Sequence, residues 1–190
     1  MQHVGFVRHG RTDWNVERII QGQMDIDLNE EGRRQATALA ARLAAEQWDV
    51  IVSSDLSRAR TTAEIIAAAT SAELVKLDPR LRERSFGPIE GMSADERDSA
   101  PEELMKESHR GIETDEALLA RGLAAFREIT AEYVDKRILI VSHGVMIHHL
   151  LRALLDNHEL SHLDNTAITV ITKHNQDWVP VLHNCTKHLG

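Results

Sequence analysis

Val4-Gly5-Phe6-Val7-Arg8-His9-Gly10-Arg11-Thr12 is a short apolar run that stops at an arginine, a histidine and a glycine. The run has the length and composition of a buried strand. Glycine at its end lets the backbone turn tightly and approach a ligand. A histidine beside an arginine at that point does little to stabilise a core. It presents a nucleophile next to a fixed positive charge.

Working outward, strand-like runs alternate with helical periodicity, which predicts an α/β fold with a mostly parallel sheet. Thr12 to Asn29 is polar. Asn29 then caps a helix with Glu30 and Glu31 in its first turn and Ala36, Leu39, Ala40, Leu43 and Ala44 on one face. Asp49 to Ser54 reads as a strand, Ser57 to Ala69 as a helix and Leu74 to Leu77 as a short strand. Asp78 to Met92 is irregular, and short helical pieces are expected between Ser93 and Thr114. Asp115 to Val134 is a long helix with Leu119, Gly122, Phe126, Ile129 and Tyr133 on its stripe. Arg137 to Ser142 is the most apolar strand and so central. A helix from Val145 to Leu155 follows, then a hairpin around Asn175-Gln176-Asp177 and a frayed tail after His183.

The 190 residues fit a single domain, 1–190, with 93–114 as a small cap that selects substrate. No apolar run approaches a membrane span, and the N-terminus carries no secretory pattern. The single Cys185 cannot pair internally, which fits a reducing cytoplasm. A net charge of −8 argues against non-specific binding to nucleic acid or anionic membrane. Any anion-binding role must therefore come from a few placed arginines.

Three further segments sit where a strand ends or a loop widens, the usual place for ligands in α/β folds. Ser53 to Ala63 runs from a strand into a helix N-terminus, an inherently favourable anion site. It carries Arg58 and Arg60 in a turn where the helix dipole disfavours cations. Arg60 lies about 200° around the helix from Arg58 and faces elsewhere. Leu81-Arg82-Glu83 leads into a turn bearing Gly87 and Gly91. Ile140-Val141-Ser142-His143-Gly144 repeats the strand-to-His-Gly arrangement of His9-Gly10.

Together, Arg8-His9-Gly10-x-Thr12, Arg58-Ala59, Leu81-Arg82-Glu83 and His143-Gly144 resemble the signature of the histidine phosphatase superfamily, the phosphoglycerate-mutase-like proteins. The four occur in that family's order and span residues 8 to 144. The resemblance implies a three-layer α/β/α sandwich. It also implies hydrolysis of small phosphomonoester metabolites through a phosphohistidine on His9. Arg8, Arg58 and His143 would hold the phosphoryl oxygens, and Glu83 would serve as acid and then base. Backbone N–H groups at Gly10 or Gly144 would add donors. Asn15 and Gln21-Gly22 match lesser phosphate-binding positions. A cage of this kind needs no cofactor and no metal. The expected partner is a small phosphorylated metabolite, with a homodimer as the commonest oligomer.

The chain departs from the family pattern at three points. Arg11 stands where glutamate or glutamine is usual and would add positive charge at the pocket mouth. Asp55 replaces a common proline, and Pro88-Ile89 a common aromatic. Lys106, His109 and Arg110 in the cap segment are candidate readers of a second anionic group. Other readings exist. A phosphoglycerate mutase would use the same site, but must shield its intermediate from water. A non-catalytic phospholigand-binding protein would keep the fold alone. His158-Glu159-Leu160-Ser161-His162 matches the H-E-x-x-H zinc pattern, yet its preceding helix ends at Asp156-Asn157 and no third ligand is evident. Asp25-Ile26-Asp27 lacks both the glycine and the bidentate carboxylate of a calcium loop.

Overall fold

A computed structural model describes residues 1–103, 111–155 and 162–190. Its centre is a six-stranded sheet in the order β3-β2-β4-β1-β5-β6. The strands are β1 (His3–Arg8), β2 (Val50–Ser53), β3 (Glu73–Leu77), β4 (Arg137–Ser142), β5 (Ile168–His174) and β6 (Asp177–Cys185). The first four run parallel, and β5 and β6 form an antiparallel hairpin on one edge. The helices are α1 (Asp13–Val16), α2 (Glu30–Leu43), α3 (Ser57–Ala69), α4 (Ala94–Ser99), α5 (Asp115–Glu132) and α6 (Gly144–Leu154).

Side chains on β1 and β4 alternate between two cores, because successive residues of a strand point to opposite faces. Val4, Phe6, Ile138 and Ile140 pack with Phe126 and Ile129 of α5 and Ile147 and Leu150 of α6. Val7, Leu139 and Val141 pack with Leu39 and Leu43 of α2 and Ala63 and Ile66 of α3. Both faces are covered, which is why these strands read as continuous apolar runs. The result is the α/β/α sandwich. Phe126 stacks on Phe6 with ring centroids 5.9 Å apart and meets Trp178 edge-on at 5.2 Å. Each such pair adds about 0.5–1.5 kcal/mol beyond its burial.

Local signals fix several helix starts. Asn29 Oδ1 accepts from Gly32 N at 2.9 Å, and Thr114 caps α5 through Ala117 N. The polar stretch after β1 contains one helical turn that the sequence reading missed, α1, closed by a Thr12–Asn15 capping box.

Some expectations fail. The stripe of α5 that faces the core carries Leu118 and Ala125, with Leu119 and Tyr133 only half-buried. Ala44 ends α2 and is exposed. The tail is not frayed: Cys185 is buried, a 3-10 turn spans Lys187–Leu189, and His188 Nε2 lies 3.0 Å from Thr166 Oγ1. A few polar residues after a strand give no sequence signal for such docking. The cap residues Lys106, His109 and Arg110, and residues 156–161 of the H-E-x-x-H region, lie outside the described residues. Among the described residues no helix is long and apolar enough to cross a membrane.

Candidate active site

Strand register builds the site. Arg8 at the end of β1 pairs with Ser142 at the end of β4, and Ser53 at the end of β2 pairs with Val141. Three neighbouring strands therefore stop level with one another. Arg8-His9, Ser53-Ser54 and Ser142-His143 emerge side by side at their carboxyl ends.

His9 and His143 are 3% and 0% exposed, with ring centroids 5.2 Å apart. His9 Nδ1 lies 2.7 Å from the Gly10 carbonyl. A carbonyl only accepts, so Nδ1 carries the proton and Nε2 presents its lone pair. Burial, then the charges of Arg58 and Arg8, push His9 well below the usual histidine range, so it stays neutral. His143 Nε2 lies 2.8 Å from Ser54 Oγ, which also accepts from Leu56 N. When the Ser54 hydroxyl donates to Nε2, Nδ1 is the N–H end of His143. Burial, then Arg58, His9 and Arg8, also push His143 well down.

Arg58 is 1% exposed, in the first turn of α3. Its Nη1 and Nη2 donate to the carbonyls of Met24 and Gly22 at 2.8 and 2.7 Å. Arg8 donates through Nη1 to the Leu163 carbonyl and lies 3.3 Å from His162 Nε2. Burial lowers Arg58 to about 10 and lowers Arg8, in each case opposed by Glu83. Arg8 Nε, Arg58 Nε and His143 Nδ1 are buried with no hydrogen-bond partner among the described residues. Buried polar atoms are rarely left unpaired. These orphan nitrogens belong to the two arginines whose charges act on His9 and to the imidazole packed against it, an arrangement that suits an anion.

Glu83 is held against the start of α6. Oε2 accepts from Val145 N at 3.1 Å, and Oε1 accepts from Met146 N at 3.2 Å and Arg84 N at 2.8 Å. It borders a cleft of about 210 Å³ with Arg8, Gly144, His148 and His162. Gly144 opens α6 beside Arg8.

The lesser positions have other duties as well. Asn15 Oδ1 accepts from Thr12 N, Thr12 Oγ1 and Asn165 Nδ2, which orients its Nδ2, the end that can donate to a phosphate. Gln21 is buried with Oε1 unpartnered among the described residues. Gly22 sits at φ +50° against Glu90, and its carbonyl serves Arg58. Arg11 is exposed and lines a neighbouring cleft with Arg8, Asn15 and Asn165. The Gly10 N–H is not available to a substrate, because it donates to Thr62 Oγ1 at 3.0 Å. Val145 and Met146 likewise give their N–H groups to Glu83. Arg60 is exposed beside Glu64, as its helical angle requires.

A family model, the histidine phosphatase superfamily (branch 1), matches residues 4–186. The chain belongs to this family. It is 35% identical over 194 residues to an uncharacterized phosphatase PhoE of Bacillus subtilis, covering 100% of this chain and 98% of that one. It is 38% identical over 163 residues to a probable phosphoglycerate mutase GpmB of Photorhabdus laumondii, covering 82% and 75%. The structure of a mycobacterial glucosyl-3-phosphoglycerate phosphatase with VO3 superposes with a TM-score of 0.85 at 30% identity, covering 97% and 100%. These relatives support the enzyme class expected from the sequence, a phosphoric monoester hydrolase of the histidine phosphatase type.

The histidine phosphatase site has supports that the motifs do not reveal. Asp25 accepts from Ser57 N and Ser57 Oγ at 2.6 and 2.9 Å, capping α3 from a distant loop. Asp27 accepts from Thr61 Oγ1 and pairs with Arg33. The Asp25-x-Asp27 pair is thus a clamp on the loop whose carbonyls hold Arg58. Arg82 grips Asp55 with two hydrogen bonds, tying the Glu83 segment to the α3 loop. Asn165 donates to the His9 carbonyl at 3.0 Å. Ser54 and Thr62, both buried, had a signal in the apolar surroundings of a polar residue. Asn165 and Asp25 had none, since their partners are distant in sequence. Among the described residues no cluster of three His, Cys, Asp or Glu side chains is placed to hold a metal ion. His162, the described end of the H-E-x-x-H motif, lies against the Arg8 guanidinium.

Proposed function

We propose that this protein hydrolyses small phosphomonoesters through a phosphohistidine on His9, without a metal. The observation that carries the reading is that Arg8 and Arg58, whose charges act on the neutral His9, and His143, whose ring packs on it, each hold a buried nitrogen with no partner among the described residues. The phosphoryl oxygens complete those three donors. Two guanidinium charges then stabilise the equatorial oxygens in the transition state. His9 Nε2 attacks phosphorus as the bond to the leaving oxygen breaks. Glu83 protonates that oxygen. Its Oε2 accepts a single backbone N–H, so a lone pair remains to carry the proton. Glu83 then takes a proton from water as the water attacks phosphorus. The P–N bond breaks, its electron pair returns to Nε2, and inorganic phosphate leaves. The cleft beside Glu83, about 210 Å³, suits a compact leaving group.

The test is hydrolysis of radiolabelled p-nitrophenyl phosphate, with the phosphoenzyme trapped in alkaline denaturant because the P–N bond of phosphohistidine is stable to base and labile to acid. Wild type is expected to turn over and to carry label on His9, and His9→Ala to do neither. Retained activity in His9→Ala overturns the reading. An absolute requirement for 2,3-bisphosphoglycerate, with isomerisation in place of phosphate release, would assign a mutase.

A further inference from the structure

We propose that Arg121, on α5 and outside the phosphate cage, is a positioning residue that sets the Glu83 carboxyl for proton delivery to the leaving group. The inference rests on the acid role proposed for Glu83. One guanidinium gathers the backbone that leads up to and includes that residue, and its partner Glu113 holds the backbone beyond it. Arg121 Nη1 donates to the carbonyls of Arg80 and Arg82 at 2.8 and 2.7 Å, and Nη2 donates to the carbonyl of Glu83 itself at 2.8 Å. Its other edge grips Glu113, with Nε to Oε1 at 2.7 Å and Nη2 to Oε2 at 2.9 Å. Glu113 in turn accepts from Ser85 N at 3.1 Å, and its own N–H donates to the Ser85 carbonyl at 2.8 Å. The pair is largely buried, with side-chain exposures of 20% and 14%.

The segment around Glu83 has no regular structure of its own. It leaves a 3-10 turn at Leu81 and enters another at Gly87. Its carbonyls have no helix or sheet ladder to satisfy them, so a forked, permanently charged donor substitutes for one. The fork fixes the Cα of Glu83, and the N–H groups of Val145 and Met146 then fix its carboxyl. Arg121 does not border the cleft that Glu83 shares with Arg8. Its effect on the reaction passes through the acid.

With Glu83 out of place, the first transfer slows only where the leaving group needs a proton; kcat/KM reports that transfer apart from the later attack of water, in which Glu83 serves every substrate as base, and general acid catalysis is typically worth about 100-fold or more. Arg121→Met should therefore lower kcat/KM for an alkyl phosphomonoester by about 100-fold. For p-nitrophenyl phosphate, whose phenolate departs unaided, the fall should be about threefold or less. Glu113→Gln keeps the shape of the clamp and weakens it, and should show the same selectivity at about a tenth of the size. It decides the matter if Arg121→Met does not fold. A loss that is equal for both substrates in these variants overturns the proposal, because a merely structural role moves both alike. Glu83→Gln run alongside separates the two claims. If it too lacks leaving-group selectivity, the acid assignment falls. If it is selective and the Arg121 and Glu113 variants are not, only the positioning role falls.

Discussion

Two clusters of charge in this molecule push the same side-chain types in opposite directions. On the surface near the end of β3, Lys76, Asp78, Arg80 and Glu128 close into a network, with Lys76–Glu128 at 2.6 Å, Arg80–Asp78 at 2.6 Å and Arg80–Glu128 at 2.9 Å. Hydrogen bonds to those carboxylates raise Lys76 and Arg80, and the same bonds hold Glu128 at about 2. In the candidate active site, burial lowers Arg8, Arg58, His9 and His143 together. Three of these residues carry orphan nitrogens. The first cluster is complete and ties α5 to the sheet. The second holds concentrated positive charge that Glu83 and its neighbouring carboxylates only partly offset. A protein of net charge −8 can recruit a phosphate dianion because the cations are gathered in one dry place.

The contrast breaks most sharply at the nucleophile. His9→Ala should reduce kcat on p-nitrophenyl phosphate by about 10⁴-fold or more, read as initial rates, as expected when a covalent step is removed. Arg58→Met should cost about 10³-fold in kcat/KM, since it removes a preorganised donor to the transferring group. The same variant should abolish stabilisation by orthovanadate. In wild type, vanadate at 100 times its Kd should add about 2.7 kcal/mol to unfolding in urea. Arg80→Met, in the completed cluster, should leave the vanadate effect intact. Stabilisation by vanadate that survives in Arg58→Met would erase the distinction between the two clusters.

Acid should tell the clusters apart more gently. His9 and His143 are neutral in the native protein, whereas unfolded histidines titrate near about 6.5. The unfolded state therefore binds more protons below that value, and stability falls as pH drops from it toward the depressed native values. Urea unfolding at pH 7.5 and 5.5 should show this loss in wild type and less of it in His143→Gln. The carboxylates of the surface network have lowered values, so their contribution is lost only at much lower pH. Smallest of all, Glu128→Gln should lower Tm by about 2 °C or less, an effect that about 0.5 M salt removes, with kcat unchanged.

Much of this was legible in the chain, and the illegible part has a common cause. Apolar runs of two-sided strands and the caps at Asn29 and Thr114 are local properties, so β1, β2, β4, α2, α3 and α5 could be located from sequence. His9, Arg58, Glu83 and His143 could be singled out because they sit in short motifs at strand ends and loops. Their supports were not. Ser54 on His143, Thr62 on Gly10, Asp25 on α3 and Arg121 on the Glu83 segment act across 89, 52, 32 and 38 positions of sequence. The docked tail after His183 was missed for the same reason.

The order of residues alone settled the alternation of strands and helices, the paired His-Gly strand ends and the identity of the cationic groups, because each depends on neighbours within a turn or a strand. The level ending of β2, β4 and β1, the choice of Nε2 as the free nitrogen of His9 and the unpaired state of Arg8 Nε, Arg58 Nε and His143 Nδ1 were decided by tertiary packing. They depend on which distant carbonyls and hydroxyls reach each side chain first and on how completely water is excluded, and only the folded chain sets both.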